Sequence, residues 1–233
     1  MMPGPPIGNF LAGGIGVELV YSFIIIICSM MIYFSTKEID KLTSYKGIKY
    51  FRLSFLFFAF AYFFRYFIKF FLFSFNLNGI LEFSPMFIGA ISLFVFLYFS
   101  IMAILFLLYS LMWKRWNHGN LTITIFNVFA LILAFISTFV QGVFSYLITN
   151  LILLVIILAI LLIAYKDSKK NPKTKSRSKN PFIIYLLLSI FWILNVIDIL
   201  MPKFLSIYQL IIYLISVLLF MIILYKVLKK TGE

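Results

Sequence analysis

Long apolar stretches alternate with short polar breaks along the whole chain. Seven stretches approach the ~20 residues that a helix needs to cross ~30 Å of hydrocarbon. They run from Gly14 to Phe34, Tyr50 to Phe73, Met86 to Met112, Leu121 to Val140, Ser145 to Tyr165, Phe182 to Met201 and Leu205 to Tyr225. Only the tight turn Gln141-Gly142 divides the fourth from the fifth. Without it the two would merge into one helix of more than 40 residues, too long for one crossing. The pattern predicts an all-α fold: a polytopic membrane protein forming one seven-transmembrane-helix bundle over residues 1–233.

The basic residues set the orientation. Lys37, Lys41, Lys46 and Lys49 follow the first segment, and Lys114 and Arg115 the third. Lys166, Lys169, Lys170, Lys173, Lys175, Arg177 and Lys179 follow the fifth, and Lys226, Lys229 and Lys230 the seventh. The opposite breaks carry only Lys203. Positive residues stay on the cytoplasmic side, so the N-terminus is expected outside and the C-terminus in the cytoplasm of a multi-pass protein of a prokaryotic cell (plasma) membrane. Lys166 to Asn180, rich in Lys, Ser, Asn and Pro, reads as a flexible basic cytoplasmic loop. It is either a topology determinant or a docking site for anionic lipid or a cytoplasmic partner. Segments one to three and five to seven share one orientation around a connecting fourth, a 3+1+3 arrangement, with Ser100 and Ser216 each nine residues before a tyrosine.

Composition agrees. Hydrophobic residues make up 64% and charged residues 12%, whereas a soluble domain is about half apolar and a quarter charged. The lipid bilayer must cover much of the surface. The net charge of +13 sits in short runs between apolar segments, which excludes a nucleic-acid face. One cysteine (Cys28) and one histidine (His118) rule out an intrachain disulfide and a zinc site of the usual donors. No metal and no cofactor are expected. The 30 phenylalanines and the excess of Lys over Arg suggest an AT-rich genome, so aromatic runs read as filler. Met1 to Gly14 has no basic residue and lacks the start of a signal peptide.

Four ionisable residues interrupt the apolar segments: Glu18, Arg65, Lys69 and Asp198. At a rise of ~1.5 Å per residue, Glu18, Arg65 and Asp198 each lie about 22–24 Å above the cytoplasmic edge. Helices one, two and six thus bring charge to one level in the outer leaflet. An isolated charge at a helix centre costs about 2.5–3.5 kcal/mol, which mutual pairing reduces. Arg65 and Lys69 share a helix face, as do Asn195 and Asp198. Glu18, Ser22, Ser29 and Tyr33 form one stripe, and Gln209 joins at a similar level. Arg65 is the expected hub, with Glu18 and Asp198 as partners and Asn195 behind them. The layer is either a ligand pocket open to the outside or an ion-pair network that fixes packing.

Other residues read more plainly. Lys69 and Arg52 are placed to snorkel to the interface. Trp113 and Trp116 look like interfacial anchors, and Trp192 like a packing residue. Asn127 and Asn150 are placed to hydrogen-bond between helices. Pro202 ends the sixth helix, His118 is solvated, and Cys28 is a small buried hydrophobe.

Microbial rhodopsins and G-protein-coupled receptors share this topology, but topology does not establish kinship. A retinal pigment needs a lysine within helix seven, and none precedes Lys226. The 3+1+3 exporters of sugars and amino acids carry a Pro-Gln signature that is absent here. A receptor-like or sensory module is the leading expectation, and a small-solute or ion transporter the alternative. An enzyme is not expected, because no paired carboxylates, His cluster or activated nucleophile share one depth on the cytoplasmic side, where most soluble cosubstrates are. A continuous polar path from Asp198 to the cytoplasm would favour the transporter.

Overall fold

The computed structural model of the chain describes residues 15–43, 46–77, 85–113, 116, 119–139, 143–170, 182–200 and 206–231. Its seven helices are α1 (Ile15–Thr43), α2 (Lys46–Leu77), α3 (Pro85–Met112), α4 (Gly119–Phe139), α5 (Val143–Lys170), α6 (Phe182–Leu200) and α7 (Ser206–Thr231), with no strand among the described residues. In hydrocarbon no water is available to backbone N–H and C=O groups, so helices that bond internally are the form these segments can take. Pro85 opens α3, where its missing N–H costs nothing. Glu18 lies in the first turn of α1 and Lys229 and Lys230 in the last turn of α7, each the sign that complements the helix dipole.

Six of the helices are long and apolar enough to cross a membrane. The remaining one, α6, has 19 residues and reaches about 28 Å, close to the hydrocarbon thickness. Several helices outrun their apolar segments. α1 continues nine residues past Phe34, so Lys37 and Lys41 are helical, and α2 already contains Lys46 and Lys49. Lys166 to Lys170 extend α5 rather than starting the expected loop; once solvated, Lys propagates a helix about as well as Leu does. Residues 171–181, the rest of that loop, lie outside the described residues, as do His118, the Gln141-Gly142 turn and Pro202.

The helices follow one another around a ring. α1 packs on α2, α2 on α3, α3 on α5, α5 on α6, α6 on α7, and α7 back on α1. α4 stands outside, and among the described residues it packs against α3 and α5 only. α3 is the most enclosed, 61% of its apolar span being buried against 28% for α4. Leu121, Ile125, Ile132, Phe135 and Phe139 of α4 are exposed, the side a bilayer would cover.

Lipid tails are as apolar as Leu, so close packing and hydrogen bonds hold such helices together. Small buried residues permit the close approach: Ala59, Ala61, Ala103, Ala164 and, four apart on α4, Ala130 and Ala134. On α1 the buried positions are Tyr21, Ser22, Ile25, Cys28, Ser29, Ile32 and Thr36. That seven-residue rhythm marks the face turned to α2 and α7. The middle of the ring is filled by Phe55, Phe58, Phe191 and Phe220, all buried. Phe220 meets Phe191 at 4.8 Å and Phe55 at 6.3 Å between ring centroids.

Candidate functional site

Of the predicted outer layer, Glu18, Arg65, Asn195 and Gln209 are half-buried on α1, α2, α6 and α7. Lys69 and Asp198 are on α2 and α6, but their side chains lie outside the described residues. The Arg65 guanidinium sits over the Phe96 ring of α3, 4.8 Å from its centroid. Ser92 of α3 donates toward the carbonyls of Phe64 and Arg65 at 3.5 and 3.4 Å. α3 therefore takes part in holding Arg65, which the sequence reading assigned to carboxylates of α1 and α6.

The described junction of α1, α2 and α6 lies one step deeper. The Tyr62 hydroxyl donates to Asn195 Oδ1 at 3.2 Å. That commits its only proton, so Tyr21, 3.3 Å from the Tyr62 hydroxyl, is the donor to it. Asn195 Nδ2 in turn donates to the Phe191 carbonyl at 2.9 Å. Tyr21 also stacks on Tyr213 of α7, with centroids 4.8 Å apart and planes 20° from parallel. Tyr21, Tyr62 and Asn195 stand three residues from Glu18, Arg65 and Asp198 respectively, each on the midplane side. Three residues are about 4.5 Å, so the hydrogen-bonded chain runs beneath the charges on the same helix faces. The sequence reading missed both tyrosines. The period-three spacing from each charge was the available signal.

A second polar level lies at the basic end. Ser110 of α3 donates to the Leu107 carbonyl at 2.7 Å, so Tyr185 of α6 is the donor in its 3.0 Å contact with the Ser110 hydroxyl. Phe51 of α2 packs edge-on against Tyr185 at 6.2 Å. Beside them lies an open-mouthed cavity of about 400 Å³, lined by α1, α2, α3, α6 and α7. Nearby, Arg52 of α2 does not snorkel as expected. Its Nη1 pairs with Asp40 Oδ2 at 3.1 Å, its guanidinium lies 4.9 Å from the Tyr33 ring centroid, and its side chain is 15% exposed. The extension of α1 past the apolar segment supplies Asp40, which makes the inward rotamer the better one.

Side chains also tie α4 to the ring. Tyr98 donates to Asn127 Oδ1 at 2.7 Å, the interhelical role expected of Asn127, and Ser137 hydrogen-bonds Thr149 of α5. Trp116 stacks on Tyr109, and Trp192 is buried in packing. Cys28 is buried and forms no disulfide among the described residues, as expected of a small buried hydrophobe. Among the described residues no three His, Cys, Asp or Glu side chains gather to hold a metal ion.

A protein of Archaeoglobus fulgidus, described as an "Uncharacterized protein", is 32% identical to this chain over 226 residues, covering 93% of each. The chain belongs to that protein's family. No family model matches the chain, and no solved structure does. The match spans nearly the full length of both proteins, so this archaeal relative accounts for the bundle as a whole rather than one segment of it. Its name assigns no activity to the family, and the chemistry must be argued from the two polar levels and what separates them.

Proposed function

We propose that the chain is a receptor-like, sensory seven-helix module of the cell membrane, with its N-terminus outside, and neither an enzyme nor a carrier. The observation that carries this reading is the aromatic plug. Phe55, Phe58, Phe191 and Phe220 are buried between the Tyr62–Asn195 level and the Ser110–Tyr185 level. A solute or ion moving from one level to the other would lose its hydration against four rings. For a charge at mid-helix depth that is at least about 2.5–3.5 kcal/mol.

The same layer suits transmission. α2 contributes Phe51, Phe55 and Tyr62, and α6 contributes Tyr185, Phe191 and Asn195, so each helix spans both levels and the plug. A small polar ligand arriving from outside at Glu18, Arg65, Lys69, Asp198 and Gln209 would compete for the Tyr62 and Asn195 hydrogen bonds. It would shift the bundle by the difference in its affinity for the two arrangements. The basic face, including 166–180, would contact the cytoplasmic partner or anionic lipid.

A transporter is the second reading. The ring divides into α1–α3 and α5–α7, and its two closures, α3 on α5 and α7 on α1, correspond under a two-fold axis. Purified chain in liposomes loaded with proton- and potassium-sensitive dyes separates the two. Fluxes equal to those of protein-free liposomes are expected. A protein-dependent flux that Phe191→Trp suppresses would establish the carrier instead.

A further inference from the structure

The cavity at the basic end is lined by residues that specify an occupant. Its walls are mostly apolar, with Ile48, Phe51, Leu111 and Ile184 facing the space. At about 400 Å³ it falls within the ~300–1,000 Å³ of small-molecule sites. Four hydroxyls reach it, yet their protons are already committed: Thr36 to the Ile32 carbonyl, Ser110 to Leu107, Tyr185 to Ser110 and Thr231 to Leu228. They can accept hydrogen bonds but not donate them. The ammonium of Lys230, exposed in the last turn of α7, is among the described residues the one charged group in the lining and its one side-chain donor with free protons. The helix C-terminus carries roughly −0.5 of a charge, which Lys229 and Lys230 together outweigh.

We infer that this cavity binds a single-chain anionic amphiphile, its tail between Phe51, Leu111 and Ile184 and its oxyacid head on Lys230. Water gains little against the apolar walls, whereas an acyl chain covers them at almost no desolvation cost. A head with one negative charge finds its counter-ion at the rim, where both remain hydrated. A cationic head would be repelled by Lys230. The site lies at the opposite end of the bundle from the outer polar layer and does not depend on the receptor-like reading.

The test uses the full chain in a neutral maltoside detergent, with dodecyl phosphate as probe and native mass spectrometry as readout. One dodecyl phosphate per chain is expected, with no binding of dodecyltrimethylammonium. Because Lys230 is exposed, Lys230→Gln leaves the fold intact, and it should weaken dodecyl phosphate binding about tenfold. Leu111→Trp should fill the cavity and abolish binding; Ile184→Phe makes the same test more gently should that variant fail to fold. Unchanged binding in Lys230→Gln, or in both cavity-filling variants, overturns the inference. So does displacement of the probe by an equal concentration of inorganic phosphate, which would make the head alone the ligand and the cavity irrelevant.

Discussion

Tyr62 on α2 and Asn195 on α6 are joined by a 3.2 Å hydrogen bond although their helices are not neighbours in the ring. The bond reaches across the bundle interior just outside Phe191, whose carbonyl Asn195 also binds. It couples α2 and α6, which carry three of the four plug rings.

Breaking that bond has a bounded cost. Interhelical hydrogen bonds in membranes average about 0.6 kcal/mol and reach about 1.7. Tyr62→Phe, Asn195→Leu and the double variant form a cycle whose coupling energy should fall in that range, measured by denaturation in detergent. Zero coupling would mean that the two side chains do not bond.

Arg52 and Asp40 are expected to behave as a unit. Breaking a fully buried pair costs about 3–5 kcal/mol. Here the side chains keep 15% and 17% exposure, so Arg52→Ala should cost less, about 1–2 kcal/mol. The double variant Asp40→Asn, Arg52→Gln should melt above Arg52→Ala, because no charge is left without its partner. The reverse order would show that Arg52 acts through its stem and Tyr33 alone.

The outer charges make a parallel case. If the expected layer forms, removing Arg65 alone leaves the carboxylates Glu18 and Asp198 with less counter-charge at membrane depth. Changing Glu18, Arg65 and Asp198 together to apolar residues should therefore fold better than Arg65→Ala, as yield and monodispersity on size exclusion will report. If the layer binds ligand, the triple variant folds and loses its response.

Ser29 is fully buried and its hydroxyl has no hydrogen-bond partner. Ser29→Ala removes an unsatisfied group with almost no change of volume. It should be neutral or stabilising by up to about 1 kcal/mol in thermal melts. A clear loss of stability would reveal a water or ligand at that hydroxyl.

Orientation is open to direct measurement. A reporter fused after Glu233 should be cytoplasmic and one before Met1 external. Protease added to inside-out vesicles should cut within 166–180 first. Termini on the same side would overturn the assignment.

The crossings were legible because the bilayer imposes a length and forbids unpaired backbone, and both constraints act on runs of residues. Helix ends were less so. Lys37, Lys41 and Lys166 look like loop in a hydropathy reading, yet solvated lysines extend helices readily. The pairing of Arg52 was hidden for the same reason, since its partner Asp40 lies beyond Phe34, where the apolar segment ends. The described junction of α1, α2 and α6 lies one step deeper than the expected layer of Glu18, Arg65 and Asp198, and of the residues named from sequence Asn195 takes part in it. Tyr21 and Tyr62 were hidden by composition. With 14 Tyr and 30 Phe in the chain, an aromatic on a helix does not distinguish core from lipid face. The basic-end cavity draws one or two residues from each of several helices, and no local pattern announces such a site.

The position of α4 outside the ring has a consequence of parity. α1–α3 and α5–α7 run in matching directions only because an odd number of crossings separates them. If α4 were removed and its neighbours joined, the second half would enter the bilayer upside down. Asn195 would then sit at the level of the wrong leaflet, far from Tyr62, and Tyr185 would face away from Ser110. The helix that touches the interior least is thus the one that decides which side of the membrane every interior residue of the last three helices is on.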